Sequence, residues 1–321
     1  MYDVIVIGGG PAGLTAGLYT SRAKLRSLLI EKGLVGGLVT TTEWVENYPG
    51  FDEGILGAEL ARKMEKQATK FGLEIIQAAV TRIAVHEKVK VVTLDDGKEY
   101  EAKSVILATG AHPRFLKVKG EDEFRGKGVS YCATCDGAFF KGETIAVVGG
   151  GDSAVQEGIF LTKFAGHVYI IHRRDKLRAE KLLQERAFAN PKITFIWDSV
   201  VESIEGDGSG VRAAHVRNVK TEEKILLDVQ GVFIYIGYNP NTEFLAGLAN
   251  LDNENYLITD INMSTSSPGI FAAGDVRAKP LKQISTAVGD GAIAAVSAEK
   301  YIEENFSHSV RTDAVSKREM N

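Results

Sequence analysis

The sequence predicts an α/β protein carrying two dinucleotide-binding units, on two observations. The pattern of short apolar strand, glycine turn, helix and second strand occurs twice at equal length. Gly8 and Gly10 superpose on Gly149 and Gly151 at an offset of 141 residues, and Glu31 falls on His172. Between the copies, shortly before the second, lie the only two cysteines of the 321 residues, in Tyr131-Cys132-Ala133-Thr134-Cys135-Asp136. A redox-capable pair upstream of a nucleotide-binding pattern points to electrons moving from a nucleotide to a disulfide.

Length and composition set the frame. A chain of this size fits about two domains, and 44% hydrophobic with 25% charged residues is ordinary for a globular enzyme. A net charge of −4 without basic excess argues against nucleic acid. The first strand starts by Asp3, which leaves no room for a signal peptide. No apolar run approaches the roughly 18 residues of a membrane helix, so the expectation is a cytoplasmic protein with no membrane partner.

In the first copy, the β-branched run of residues 3–7 reads as a buried parallel strand. Gly8-Gly9-Gly10-Pro11-Ala12-Gly13 follows, then a helix from Leu14 to Arg26 and a strand over 27–31 ending in Glu31. G-x-G-x-x-G alone is weak evidence; between a strand and a helix, with an acidic residue about 20 positions on, it is strong. The glycines let a pyrophosphate approach the helix N-terminus. Glu31 can accept bonds from a ribose diol and would repel a 2′-phosphate.

Gly36-Gly37 with Thr40-Thr41-Thr42, and Glu46-Asn47-Tyr48-Pro49-Gly50, form a long polar loop region, either functional or a solvated turn. A helix over 57–71, strand-like runs at Glu74–Ala84 and Val89–Leu94, and a buried strand entering Ala108-Thr109-Gly110 complete this part. His112-Pro113-Arg114 breaks the pattern as a crossover would.

The second copy carries Ala154 where the first has Gly13, a permitted exchange. Its second strand ends not in an acid but in His172-Arg173-Arg174, with Arg178 beyond. Arginine forks suit phosphate oxygens, and one helical turn would bring Arg174 and Arg178 to the same face. This charge reversal fits a 2′-phosphorylated cofactor, NADPH; the competing reading is a solvated basic helix start balanced by Asp175 and Glu180. Residues 193–237 look largely β, with runs at Ile193–Trp197, Val211–Asn218, Lys224–Leu227 and Val229–Gly237. Asn239-Pro240-Asn241 marks a second crossover. Ala273-Gly274-Asp275 places a carboxylate where a buried strand meets a turn, fit to hold a sugar hydroxyl. A helix over Leu281–Asn305, opening at Lys282-Gln283-Ile284, would set its N-terminus at a flavin ring; from Ser307 the tail is polar and expected to fray.

Taken together these motifs closely resemble the bacterial low-molecular-weight thioredoxin reductases over about residues 1–305. The resemblance implies two Rossmann-like domains of three-layer ββα type, the NADPH domain inserted into the FAD domain. The expected boundaries are 1–113 and 241–321 for the FAD domain and 114–240 for the NADPH domain. FAD would be held by Gly8, Gly10, Pro11, Ala12, Gly13, Glu31, Gly37, Thr42, Asn47, Val80, Ala108, Thr109, Gly110, Gly274, Asp275, Gln283 and Ile284. NADPH would be held by Gly149, Gly151, Asp152, Ser153, Ala154, His172, Arg173, Arg174, Arg178, Ile236 and Gly237. It further implies that Cys135 takes electrons from the flavin, Cys132 attacks the partner thioredoxin, Asp136 acts as general acid, and the chain forms a homodimer. Asp136 could equally be a helix-capping or turn residue. The family's usual Gly-Gly-Gln-Leu is here Gly36-Gly37-Leu38-Val39, so that glutamine's polar contact is absent. The family also implies rotation of one domain on the crossovers near Gly110–Arg114 and Gly237–Pro240.

Other readings of the same residues remain. Zinc would need ligands beyond two cysteines, and no second paired motif is present. A ferredoxin-fed reductase of the same build would have little use for the arginines, another disulfide partner could replace thioredoxin, and a non-enzymatic redox sensor would want an effector domain.

Overall fold

The structure, a computed structural model, describes residues 1–42 and 44–306; the tail from Ser307 lies outside the described residues. The chain parts into two compact units: Met1–His112 with the chain from Asn239 onward, and Pro113–Tyr238. Among the described residues no helix is long and apolar enough to cross a membrane.

In the first unit, Tyr2–Ile7, Ser27–Glu31 and Glu99–Leu107 lie side by side in parallel, flanked by Glu74–Gln77 and Ile270–Ala272. Their apolar runs are nearly continuous because both faces are covered. Val4, Val6, Leu29 and Ile106 pack on one face with Leu14 and Ala16 of the helix Pro11–Arg22 and with Ala294, Ala298 and Ile302 of the helix Ile284–Phe306. Ile5, Ile7, Leu28, Ile30, Val105 and Leu107 point the other way, onto Ile83, Val92 and Leu94 of the antiparallel hairpin Val80–His86 and Val89–Leu94.

The second unit repeats this plan. Val129–Ser130, Gly231–Tyr235, Thr144–Gly149, His167–Ile171 and Ile193–Ile196 form an all-parallel sheet in that order. Ile145, Val147, Ile170 and Phe233 face Ala154 and Leu161 of the helix Asp152–Leu161; Ala146, Val148, Val232 and Ile234 face Val201, Ile204, Ala214 and Val216 of an antiparallel sheet. The chain thus holds two Rossmann-like units, each a parallel sheet between helices and an antiparallel layer.

Several boundaries differ from the sequence expectation. The first helix starts at Pro11, a residue suited to the first helical position, and ends at Arg22 because Lys24 turns left-handed at φ 61°. The run Glu74–Ala84 is two strands: Glu74–Gln77 pairs in parallel with Ser27–Glu31, and Val80–His86 opens the hairpin. Apolar alternation carries no signal for such a change of partner. Ser199–Asp207 lies inside the expected β region but outside its named runs; its register shifts between Val201 and Ser203, and the bulge hides the period-two pattern. The C-terminal helix opens at Ile284, so Lys282 and Gln283 precede it.

One core feature carries a prediction. Lys90 is fully buried, and its Nζ donates to the carbonyls of Lys88 (2.9 Å) and Lys103 (3.0 Å) and to the Tyr301 hydroxyl (2.9 Å). Among the described residues no carboxylate pairs with it, and burial lowers its pKa from 10.5 to about 8. Burial holds the Tyr301 phenol above its ordinary value, so that neighbour stays protonated in the same range. Between these two lysine values the unfolded chain keeps a proton that the folded protein has shed. Stability from this group therefore rises with pH across the window and is lost as pH falls to 8. We expect the stability of the wild type to gain on that of Lys90→Met between pH 7.5 and 9.5, by on the order of 2 kcal/mol at full titration, as read from paired melting curves. A gap independent of pH would mean that Lys90 titrates normally.

Candidate functional site

Two glycine turns and a cysteine pair make up the site elements. In the first turn Gly8 adopts φ +106°, and a Cβ there would stand 2.3 Å from the Ala108 carbonyl oxygen. At Gly13 a Cβ would fall 1.8 Å from the Gly8 oxygen, so strand and helix meet as only glycine permits. Gly10 is the opposite case: beyond its own chain neighbours, nothing among the described residues lies within 4 Å of the place of its Cβ, and it caps the helix that begins at Pro11 and Ala12. Open space at a helix N-terminus is an anion site in waiting. Gly37 would bring a Cβ within 3.2 Å of Gly10 Cα, and Gly36 N–H donates to the Gly9 carbonyl at 2.8 Å, drawing the second glycine loop over the turn. Glu31 closes the rim: its Oε2 accepts from Gly9 N–H at 2.6 Å and its Oε1 from Gly33 N–H at 2.8 Å. An ionised carboxylate offers about four lone-pair sites, so two remain for a ribose diol.

The second segment of this unit reaches the same place. Gly274 would bring a Cβ 2.8 Å from Ala12 Cβ, which sets Asp275 beside the helix start. Asp275 Oδ1 is buried without a hydrogen bond; Lys279 Nζ lies 3.4 Å away, within ion-pair range but outside hydrogen-bond geometry. Burial raises the pKa of this carboxyl, with Lys279 working the other way. A buried acceptor without a donor costs about 1–3 kcal/mol, and a sugar hydroxyl is a donor of the right kind. With the open cradle at Gly10, this orphaned oxygen suits a group that carries both a phosphate and a sugar hydroxyl, as a flavin nucleotide does.

The remaining expected flavin residues are placed by local bonds. Thr109 Oγ1 donates to the Asn241 carbonyl (2.8 Å), Asn241 Nδ2 to the Thr109 carbonyl (2.7 Å) and Asn241 N–H to the Gly110 carbonyl (3.0 Å). Asn47 Nδ2 meets Gln283 Oε1 at 3.3 Å across 236 residues of sequence, just before Ile284. Thr42 ends the short turn Gly37–Thr41, and Val80 sits half-buried at the start of the hairpin. Sequence reasoning missed what fixes the Gly274 turn. Asp290, buried in the long helix, accepts from Gly274 N–H (3.1 Å), Arg277 (2.9 Å) and Lys279 (3.0 Å). An acid amid the alanines of an otherwise apolar helix face was the available signal.

In the second turn, Gly149 at φ +148° would bring a Cβ 2.3 Å from the Tyr235 oxygen, while Gly151, capping the helix from Asp152, again opens on free space. Ala154 is fully buried, its methyl absorbed by the core, and Ser153 is half-buried on the first turn. Asp152 Oδ1 accepts Glu180 N–H at 2.8 Å, and Arg178 N–H donates to the Gly150 carbonyl at 2.7 Å. The basic segment therefore lies against the glycine turn. His172 is buried below it, so close that a Cβ at Gly150 would stand 2.3 Å from its Nδ1. Its Nε2 has no partner; burial first, then Arg178, Arg174 and Arg173, push its pKa down, so it is neutral.

The expected helical turn joining Arg174 to Arg178 is not there. Residues 173–180 form an irregular loop, and the helix is Lys181–Phe188. The loop is held instead by the backbone bond from Arg178 N–H to the Gly150 carbonyl and by the packing of Leu177 and Ala179. The side chains of Arg173, Arg174 and Arg178 are exposed and make no hydrogen bond or ion pair among the described residues. Asp175 faces Lys220 at 3.6 Å rather than an arginine. Three guanidiniums without a carboxylate partner among the described residues therefore border the second glycine turn. Ile236 and Gly237 follow the strand Gly231–Tyr235, and the carbonyl of Gly237, a residue at φ +120°, accepts Arg114 N–H at 2.9 Å.

Cys132 and Cys135 form a disulfide with Cα atoms 5.3 Å apart. Cys132 caps the short helix Ala133–Asp136, its Sγ accepting Cys135 N–H at 3.2 Å. Cys135 is exposed and Cys132 half-buried. Asp136 follows directly, its N–H bonded to the Cys132 carbonyl at 3.2 Å, which keeps the carboxyl on the same turn as both sulfurs. The unit thus unites a dithiol–disulfide couple with a nucleotide cradle.

A fold of two dinucleotide units with this pair defines the class: the chain belongs to the pyridine nucleotide-disulphide oxidoreductase family, whose pattern it matches over residues 2–291. It is an oxidoreductase of the kind that uses a flavin and a pyridine nucleotide. Within the family it is similar to the thioredoxin reductase of Listeria monocytogenes, 52% identical over 95% of each chain. It is 51% identical to that of Bacillus subtilis, over 95% of this chain and 96% of the relative. The crystal structure of Lactococcus lactis thioredoxin reductase, in the form described as its FR conformation, superposes with a TM-score of 0.93 at 49% identity, over 95% of this chain and all of that one.

Proposed function

We propose that the chain is an NADPH-dependent thioredoxin-disulfide reductase with FAD as its bound flavin. The observation that carries this reading is the Cys132–Cys135 disulfide in the same unit as a glycine turn bordered by three unpaired arginines. FAD and NADPH, when bound, supply the two-electron hydride chemistry that ends in reduction of this disulfide. The chain's own residues do the rest. Gly8, Gly10 and Gly13 admit one pyrophosphate, and Glu31 and Asp275 accept its sugar hydroxyls. Gly149 and Gly151 admit the other, with Arg173, Arg174 and Arg178 on the 2′-phosphate. Cys132, as thiolate, attacks one sulfur of the partner's disulfide and forms a mixed disulfide while the partner's other sulfur leaves. Asp136 gives that sulfur a proton. The Cys135 thiolate then attacks Cys132, closes the ring and releases the reduced partner. Family resemblance adds a cytoplasmic homodimer.

Purified protein supplied with NADPH should reduce oxidised thioredoxin catalytically, and NADH at the same concentration should do so far more slowly. Reduction of Cys132–Cys135 by NADPH without turnover of thioredoxin would move the reading to another disulfide partner. Turnover with reduced ferredoxin and none with NADPH would overturn the donor assignment.

A further inference from the structure

Glu121 is 2% exposed, in the stretch that leads from Pro113 towards the cysteines. No lysine or arginine pairs with it among the described residues. Its Oε1 accepts Leu116 N–H at 2.8 Å and the Tyr131 hydroxyl at 2.7 Å, and its Oε2 accepts Lys117 N–H. Tyr131 is the residue before Cys132. Its ring stands edge-on to Phe115 at 5.3 Å, with the Arg125 guanidinium 5.6 Å from it and 4.5 Å from Phe115. Ser130 Oγ accepts Cys132 N–H at 3.0 Å. Burial first, and then the Glu121 carboxylate, hold the Tyr131 phenol above its ordinary range, so it remains a donor at working pH.

Two constraints therefore hold Cys132. One is the disulfide, which opens whenever the pair is reduced. The other is this buried network, which does not depend on the sulfurs. We propose that Tyr131, anchored by Glu121, is a positioning residue that keeps Cys132 within ring-closing reach of Cys135 while the disulfide is open. The proposal rests on the reductase reading of the pair. Its physical content is preorganisation: a dithiol already ordered loses less freedom on closing its ring. Without the hydroxyl the open form gains conformations that the closed ring cannot share, so the equilibrium moves toward the dithiol.

The test compares the wild-type holoenzyme with Tyr131→Phe, which keeps the ring and removes only the donor. Both are equilibrated in graded glutathione redox buffers and acid-quenched, and their thiols are counted by alkylation. The variant's pair should be half reduced at a glutathione ratio about five- to tenfold less reducing, some 20–30 mV at 29.6 mV per decade. Glu121→Gln, which sets an amide donor against a backbone donor, should move the equilibrium the same way. An unchanged ratio in both variants, even with a lowered melting temperature, would overturn the proposal and leave Tyr131 a fold-stabilising residue. Reduction of the pair by NADPH is scored separately. Its absence would sink the reductase reading while the glutathione comparison still decides this one.

Discussion

Cys135→Ser should abolish thioredoxin reduction, by about a thousandfold or more, while NADPH still bleaches the flavin absorbance of the same protein. Serine is nearly isosteric, and the bond from residue 135 N–H to Cys132 Sγ is a backbone contact that the exchange leaves in place. What disappears is the second thiolate. Without it no intramolecular disulfide forms, and a mixed disulfide made by Cys132 has no internal nucleophile to resolve it. The variant should therefore trap its protein partner covalently, and mass analysis of that adduct would identify the partner. Residual activity above a few per cent of wild type would place the electron exit elsewhere. Loss of NADPH bleaching in the variant would mean that Cys135 serves the fold or the nucleotide, not the exchange.

The sequence was most legible where backbone geometry admits one residue type. Gly8, Gly13 and Gly149 stand where any side chain would strike a carbonyl, so their spacing by itself announces the strand–turn–helix. The two cysteines were equally plain, since a spacing of two intervening residues leaves few other uses. Elements defined by a change of partner were not legible. Glu74–Ala84 looks like one strand because periodicity reports which face is apolar, not which strand lies alongside. The spacing of Arg174 and Arg178 suggests a helical turn because charge spacing is blind to backbone bonds such as Arg178 N–H to Gly150.

Long-range polar fixation was hidden for a related reason. Asp290 lies sixteen residues from Gly274 and Glu121 ten from Tyr131. Periodicity does not pair residues that far apart across a turn, and a lone carboxylate such as Glu121 would pass for a surface residue in a window of sequence. Both carboxylates are buried acceptors held by three donors each, which is the condition on which such groups survive in a core. One fixes the turn bearing Asp275, the other the residue before Cys132. Leu38, where the family usually has glutamine, is 41% exposed and half-covered; its neighbours Gly36 and Gly37 keep the loop over the first turn without a polar side chain there.

Replacing Arg173 and Arg174 together by alanine should raise the KM for NADPH by about 30- to 100-fold and leave NADH little changed. Each guanidinium would make charge-assisted bonds to the 2′-phosphate, about 1.0–1.4 kcal/mol apiece after allowing for solvent at an exposed loop. NADH lacks that phosphate and has nothing to lose. The neutral, buried His172 beneath them cannot take over, since its pKa is held down by burial and by these same arginines; removing them should let it rise, adding a weak pH-dependent recovery below neutrality. Wild-type KM for NADPH should climb with ionic strength more steeply than the variant's, because screening acts on the charges that the variant lacks. Equal losses for both nucleotides would mean that the loop supports the glycine turn through its backbone and does not read the phosphate. No loss for either would return the arginines to the solvated-face reading and reopen the choice of electron donor.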